Sequence, residues 1–252
     1  MVAVTQAVKR TSQPRGGYIP PKIMEAVSIE SLTKLNGMES ENIHATTVGL
    51  AVDYLTRFMN GSQKNEAFKI SLMGSHNAGE HDKAEDLLDK VVGLDDISIT
   101  AACQLVGYDV CYRAGTAMFK GVDSIFPNKP TCENIKVMVE RGVTFIKQYG
   151  PIVKDGFGFE GAYTRKITIG DGDFLTKTTI WDFKVSKSNP TNKHTLQLII
   201  YYLMGKRTQH KEFEDVEKIG IFNPRLNMVY TLEVSKISSK IIEDIEKNVI
   251  GY

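Results

Sequence analysis

The sequence predicts a mixed α/β (α+β) fold, in which a helical N-terminal lobe precedes a core ordered three strands, helix, two strands, helix. Three observations predict it. Apolar residues recur at helical spacing between about residues 22 and 150. After Pro151 the texture changes: Gly156, Gly158, Gly161, Gly170 and Gly172 punctuate short β-rich runs. A helix-patterned stretch at about 192–205 separates the third run from the fourth and is long enough for a crossover.

The elements follow in order. Residues 1–20 read as a loose arm, because Thr11 to Pro21 has no periodicity and several breakers. Residues 21–150 form the helical lobe. Its stripes are Ile43, Val48, Val52, Leu55 and Met59, then Ala101, Leu105, Tyr108 and Tyr112, then Ile135, Met138, Val139, Val143 and Ile146. Thr131 suits the N-cap of the last helix, and Gly150-Pro151 ends it. Residues 151–252 form the core, packed with the lobe as one compact unit. Strands are expected at about 157–164, 166–175, 178–186, 217–222 and 227–234, with a closing helix at 237–248.

Composition narrows the function classes. The 252 residues are 42% hydrophobic and 24% charged, with 31 Lys and Arg against 30 Asp and Glu. A net charge of +1 excludes a globally basic nucleic-acid coat, so any charged partner must meet a local patch. Cys103, Cys111 and Cys132 are odd in number and widely spaced, which argues against a disulfide framework and for a reducing compartment. No apolar run approaches the ~18 residues of a membrane span, and Lys9 and Arg10 interrupt any signal-peptide core. The expectation is a soluble cytoplasmic protein with no membrane partner.

The chemistry concentrates in Ile169-Gly-Asp-Gly-Asp-Phe174 and Thr178-Thr-Ile-Trp-Asp-Phe-Lys-Val185. Alternate side chains on a strand share a face, so Trp181, Phe183 and Val185 point one way and Asp182 and Lys184 the other. A short turn near Leu175–Lys177 brings Asp173 or Asp171 beside Asp182. Two adjacent carboxylates repel unless a cation or a shared proton lies between them, and oxygen-only ligands favour Mg²⁺ or Mn²⁺. On the following helix, His194, Gln197 and Tyr201 lie at i, i+3 and i+7, bordering the core stripe of Leu196, Ile199, Ile200 and Leu203. Taken singly, each of these patterns is also what a surface ion pair, a turn or a solvated helix face gives.

Together, Gly-x-x-Asp (Gly170 to Asp173), Asp-x-Lys (Asp182, Lys184) and Gln-x-x-x-Tyr (Gln197, Tyr201) resemble the PD-(D/E)XK nuclease superfamily. The likeness is to its RecB-like branch, which includes lambda-exonuclease-like enzymes, over roughly residues 155–235. It implies a restriction-endonuclease-like core and a DNA nuclease dependent on Mg²⁺ or Mn²⁺. Asp173, Asp182 and the backbone carbonyl of Phe183 would be metal ligands. Lys184 would position water and stabilise charge, and Gln197 and Tyr201 would orient the site. The choice of Asp173 over Asp171 rests on the family's spacing. The branch also carries a Gly-x-x-x-His; Gly49 has the spacing, but Asp53 stands where His is expected. Glu160, placed at the opening of the first strand, resembles an acidic residue found there in the superfamily.

Charge is consistent with a DNA partner. From Phe183 to Lys211 there are six Lys or Arg and no Asp or Glu. Lys187, Lys193 and Arg207 are the candidate DNA contacts. The alternative function is a catalytically inactive nucleic-acid-binding or assembly module on the same fold. A homo-oligomer or an accessory protein partner is compatible with either. His76 and His81, flanking Asn77-Ala-Gly-Glu80, read as a loop and helix start rather than metal ligands.

Overall fold

The computed structural model describes residues 1–29 and 33–252. In chain order the elements are α1 (Val4–Arg10), β1 (Glu25–Ser28), α2 (Ala45–Met59), α3 (Lys64–Ala67), α4 (Lys69–Ala78), α5 (His81–Asp89), α6 (Asp96–Leu105), α7 (Asp109–Arg113), α8 (Lys129–Tyr149), β2 (Ile152–Phe157), β3 (Gly172–Thr176), β4 (Thr179–Phe183), α9 (Asn192–Gly205), β5 (Lys218–Asn223), β6 (Met228–Glu233) and α10 (Ser239–Asp244). A π-helical stretch, Ile245–Ile250, follows α10. Two compact units result: a sheet unit of Met1–Ile29 with Phe145–Tyr252, and a helical unit of Glu30–Thr144.

In the helical unit, α2 buries Val48, Val52 and Leu55, while Met59 at the end of the expected stripe is exposed. Helix α8 buries Ile135, Met138 and Val139. It begins earlier than the Thr131 cap implies: the Asn128 carboxamide oxygen accepts from the Thr131 backbone N–H at 3.0 Å, the role of an N-cap. The unit also contains a polar centre. Asp109 is 2% exposed, and its two carboxylate oxygens accept from Tyr54 Oη and Ser71 Oγ, each at 2.6 Å. Burial raises the Asp109 carboxyl above its ordinary range, against the pull of those hydroxyls and Arg113.

The sheet unit is built on one six-stranded sheet, ordered β1-β6-β5-β4-β3-β2. Strands β2, β3 and β4 form an antiparallel run, β4 and β5 are parallel, and α9 is the crossover between them. The two-residue connection from Thr176 to Thr179 suits a tight hairpin. Period-2 alternation splits the side chains between two faces. Leu175, Ile180, Ile219 and Ile221 pack with Leu196, Ile199, Ile200 and Leu203 of α9. On the other face, Phe174, Trp181, Phe222 and Val229 pack with Phe145 and Ile146 of α8. Gly220 pairs with Trp181 across the parallel ladder. A Cβ there would lie 2.4 Å from the indole, so this strand position excludes any side chain.

The expected order of three strands, helix, two strands and helix is present, on altered bounds, and β1 adds a strand that the sequence did not announce. The first strand of the core is 152–157, not 157–164. Residues 158–171 instead loop back: the Tyr163 hydroxyl accepts from Phe159 N–H and donates to the Gly170 carbonyl, both at 3.0 Å. The second strand begins only at Gly172, so Ile167 and Ile169 never share a regular strand face with Asp173. Nor are residues 1–20 a loose arm. Val4, Ala7 and Val8 of α1 and Ile19 beyond it are buried in the sheet unit's core, and Ala3 bridges Ile169. Among the described residues, no helix is long and apolar enough to cross a membrane.

Candidate active site

The β3–β4 hairpin sets the two carboxylates. Phe174 pairs with Trp181 and Leu175 with Ile180; extending that register by one residue places Asp173 opposite Asp182. Both continue the face that carries Leu175 and Ile180, at the point where the strands leave the apolar core. Asp173 Oδ2 accepts from the Phe183 backbone N–H at 2.6 Å, which ties this carboxylate to the neighbouring strand.

Asp182 is 2% exposed. Its Oδ1 receives Lys184 Nζ at 2.9 Å and Gln197 Nε2 at 3.4 Å. Its Oδ2 is buried and has no hydrogen-bond partner. Gln197 Nε2 also donates to Tyr201 Oη at 2.8 Å, so one carboxamide joins the strand's carboxylate to the helix's phenol. Helix α9 brings these groups in because Gln197 and Tyr201 lie four residues apart on one face. Its first turn is fixed by a capping box between Thr191 and His194.

The electrostatics follow from burial. Tyr201 is held well above the ordinary phenol pKa, first by burial and then by the charges of Asp182 and Asp173; the Gln197 hydrogen bond opposes this. The phenol therefore stays protonated. His194 is held below its ordinary value by burial and the Lys184 ammonium, with Asp182 pulling the other way. Its Nδ1 accepts from the Thr191 backbone N–H at 3.2 Å. His194 thus belongs to this cleft's electrostatics; its i, i+3, i+7 relation to Gln197 and Tyr201 was the sequence signal.

The remaining candidate residues lie as follows. Phe183 ends β4, and its N–H is the donor to Asp173. Glu160 sits in the turn after β2 rather than at the head of a strand, and its carboxylate faces His210 Nε2 at 3.4 Å. Asp53 lies in the helical unit, ion-paired with Arg57 Nε at 3.0 Å on α2. Lys187 and Lys193 are exposed in and just after the β4–α9 connection. Arg207, beyond the far end of α9, is ion-paired with Glu246 at 3.0 Å and lies 4.0 Å from the Tyr252 ring centre.

The donor set is compatible with a hard divalent cation. The hairpin register sets Asp173 opposite Asp182, and Asp182 contributes a buried oxygen without a partner. Buried polar atoms are normally satisfied, and an anionic oxygen left so is suited to a cation. Among the described residues, no group of three or more His, Cys, Asp or Glu is gathered as a metal site, so further ligands would come from backbone or solvent. Comparisons with protein-family models, curated proteins and solved structures yield no match to this chain.

Proposed function

We propose that the sheet unit is a divalent-metal-dependent deoxyribonuclease of the RecB-like PD-(D/E)XK type, hydrolysing phosphodiester bonds. The observation that carries this reading is the pairing of Asp173 with Asp182 beside Lys184, with one buried Asp182 oxygen lacking a partner. The order β2-β3-β4-α9-β5, with β4 and β5 parallel, is compatible with that superfamily's core.

Asp173 and Asp182 would hold the cation, Mg²⁺ or Mn²⁺, with the Phe183 carbonyl as a further oxygen. When bound, the cation would neutralise charge on the scissile phosphate and acidify the attacking water. Lys184, 31% exposed and anchored on Asp182, would direct its ammonium towards water and the phosphate oxygens. Gln197 would hold the Asp182 carboxylate in one orientation and fix Tyr201. Lys187 and Lys193 would lie along the DNA backbone, where positive charge without acidic neighbours favours phosphate. The Arg207–Glu246 pairing gives Arg207 less to offer DNA than those two lysines.

A second reading is a non-catalytic nucleic-acid-binding or assembly module. It is favoured by one observation: Lys184 already neutralises Asp182 at 2.9 Å. The test is incubation with linear and circular DNA, single- and double-stranded, with Mg²⁺, Mn²⁺ or chelator. The nuclease reading expects cleavage that requires metal and disappears in Asp182→Asn. Wild-type protein that binds DNA but cleaves none of these substrates with either metal would make the module the better account.

A further inference from the structure

A second cleft in the sheet unit shares no residue with the carboxylate site. It has a volume of about 500 Å³ and is lined by Arg10, Ser12, Tyr18, Arg165, Lys166 and Asn248, among others. That volume is within the range of small-molecule sites. Its walls come from the end of α1 and the chain after it, the loop before β3, and the π-helical stretch near the C-terminus.

The charge on these walls is one-sided. Three lining residues are basic, and no Asp or Glu is among the described lining residues, although the whole chain carries only +1. Two nearby acids are already engaged. Asp244 takes a hydrogen bond from the Asn248 amide, and Glu246 is ion-paired with Arg207. Arg10 and Arg165 make no hydrogen bond or ion pair among the described residues. Lys166 is held in place: its ammonium donates to the Lys247 and Asn248 carbonyls at 3.1 and 2.8 Å, leaving one proton to point elsewhere.

We propose that this cleft binds a small phosphate monoester, with Arg10 and Arg165 gripping its oxygens and Lys166 supplying a fixed third charge. A phosphate monoester presents three terminal oxygens and close to two negative charges near neutral pH, which matches two guanidiniums and an ammonium. Guanidinium is the cation best shaped for bidentate contact with phosphate. The Ser12 hydroxyl adds a neutral partner among the lining residues. The site needs no divalent metal, so it stands or falls apart from the nuclease reading.

The test is titration calorimetry on the full chain in chelator at fixed ionic strength, with inorganic phosphate and adenosine 5′-monophosphate as probes. Saturable binding is expected. Arg10→Gln and Arg165→Gln should each weaken it about tenfold or more, the effect of one charge-assisted contact. Lys9→Gln, a neighbouring exposed cation outside the cleft, should leave it unchanged. Both arginines are exposed, so unliganded melting temperatures of the variants should match wild type. Tighter binding of the nucleotide than of phosphate would place the nucleoside in the cleft as well; equal binding would mark a site for the phosphate group alone. Absence of binding by either probe at millimolar concentration would overturn the proposal, as would binding that survives both arginine variants.

Discussion

Two buried carboxylates, one in each unit, are equally hidden from water and differently served. Asp109 and Asp182 are both 2% exposed. In the helical unit, Asp109 has a hydroxyl on each oxygen, from Tyr54 and Ser71, and Arg113 Nε lies 3.6 Å away. In the sheet unit, Asp182 has both its named partners on Oδ1 and none on Oδ2. An unsatisfied buried polar group costs ~1–3 kcal/mol, more when charged. A structural carboxylate is therefore expected to look like Asp109. Asp182 instead keeps one buried oxygen without a partner, opposite a second carboxylate in the β3–β4 register.

The largest expected effect separates chemistry from stability at Asp182's side. Lys184→Ala should lower the DNA cleavage rate about 10²–10³-fold, the typical cost of removing one preorganised charge-stabilising group. It should also lower the melting temperature in chelator, because it strips the ammonium from a buried carboxylate. Saturating Mn²⁺ should restore that melting temperature but not the rate. Thermal melts with and without Mn²⁺, run beside a cleavage assay, read all three. A variant that cleaves as fast as wild type would remove Lys184 from the mechanism.

Asp109→Ala should behave in the opposite way. It leaves the Tyr54 and Ser71 hydroxyls buried without their acceptor and opens a small cavity, an expected loss of roughly 2–4 kcal/mol. Mn²⁺ should not restore it, and any cleavage per folded molecule should be unchanged. Denaturant unfolding of the variant with and without Mn²⁺ checks this. Rescue by metal would break the contrast between the two carboxylates.

The smallest effect concerns pH. His194 titrates below 6.5 in the folded chain. A basic group whose folded pKa is depressed contributes stability present above the unfolded pKa and lost as pH falls through the folded value. The His194 contribution is therefore full above about pH 6.5 and declines on acidification. An NMR titration of the imidazole should give a midpoint under 6.5. In Lys184→Ala the midpoint should rise, because the repelling ammonium is gone and Asp182 remains. A midpoint unmoved by that substitution would detach His194 from the cleft.

The pattern of what the sequence disclosed has physical causes. Asp182, Lys184, Gln197 and Tyr201 were readable because strand and helix periods are local: alternation placed the first pair on one face, and four-residue spacing placed the second. The hairpin turn left Asp173 and Asp171 both open, and only the family's spacing favoured Asp173; the β3–β4 register places Asp173 opposite Asp182. Residues 157–164 misled because Phe157 and Phe159 alternate with glycine as a strand would. Phe159 and Ala162 are buried in a loop, held by Tyr163 through contacts no periodicity records. Helix α1 has only seven residues, too few to stand out beside the glycine- and proline-rich stretch after it. Strand β1 is exposed at all four positions and so has no buried alternation to detect. Arg207 looked available because its partners, Glu246 and Tyr252, come from the far end of the chain.

The central claim is that Asp173 and Asp182 together hold a divalent cation. Calorimetric titration of Mn²⁺ into metal-free protein tests it most directly, with wild type, Asp173→Asn, Asp182→Asn and Asp109→Asn measured side by side. The account predicts saturable binding in wild type, at least tenfold weaker binding in either sheet-unit variant, and wild-type affinity in Asp109→Asn. Equal Mn²⁺ affinity in all four proteins, or no binding to wild type at millimolar ion, would contradict it.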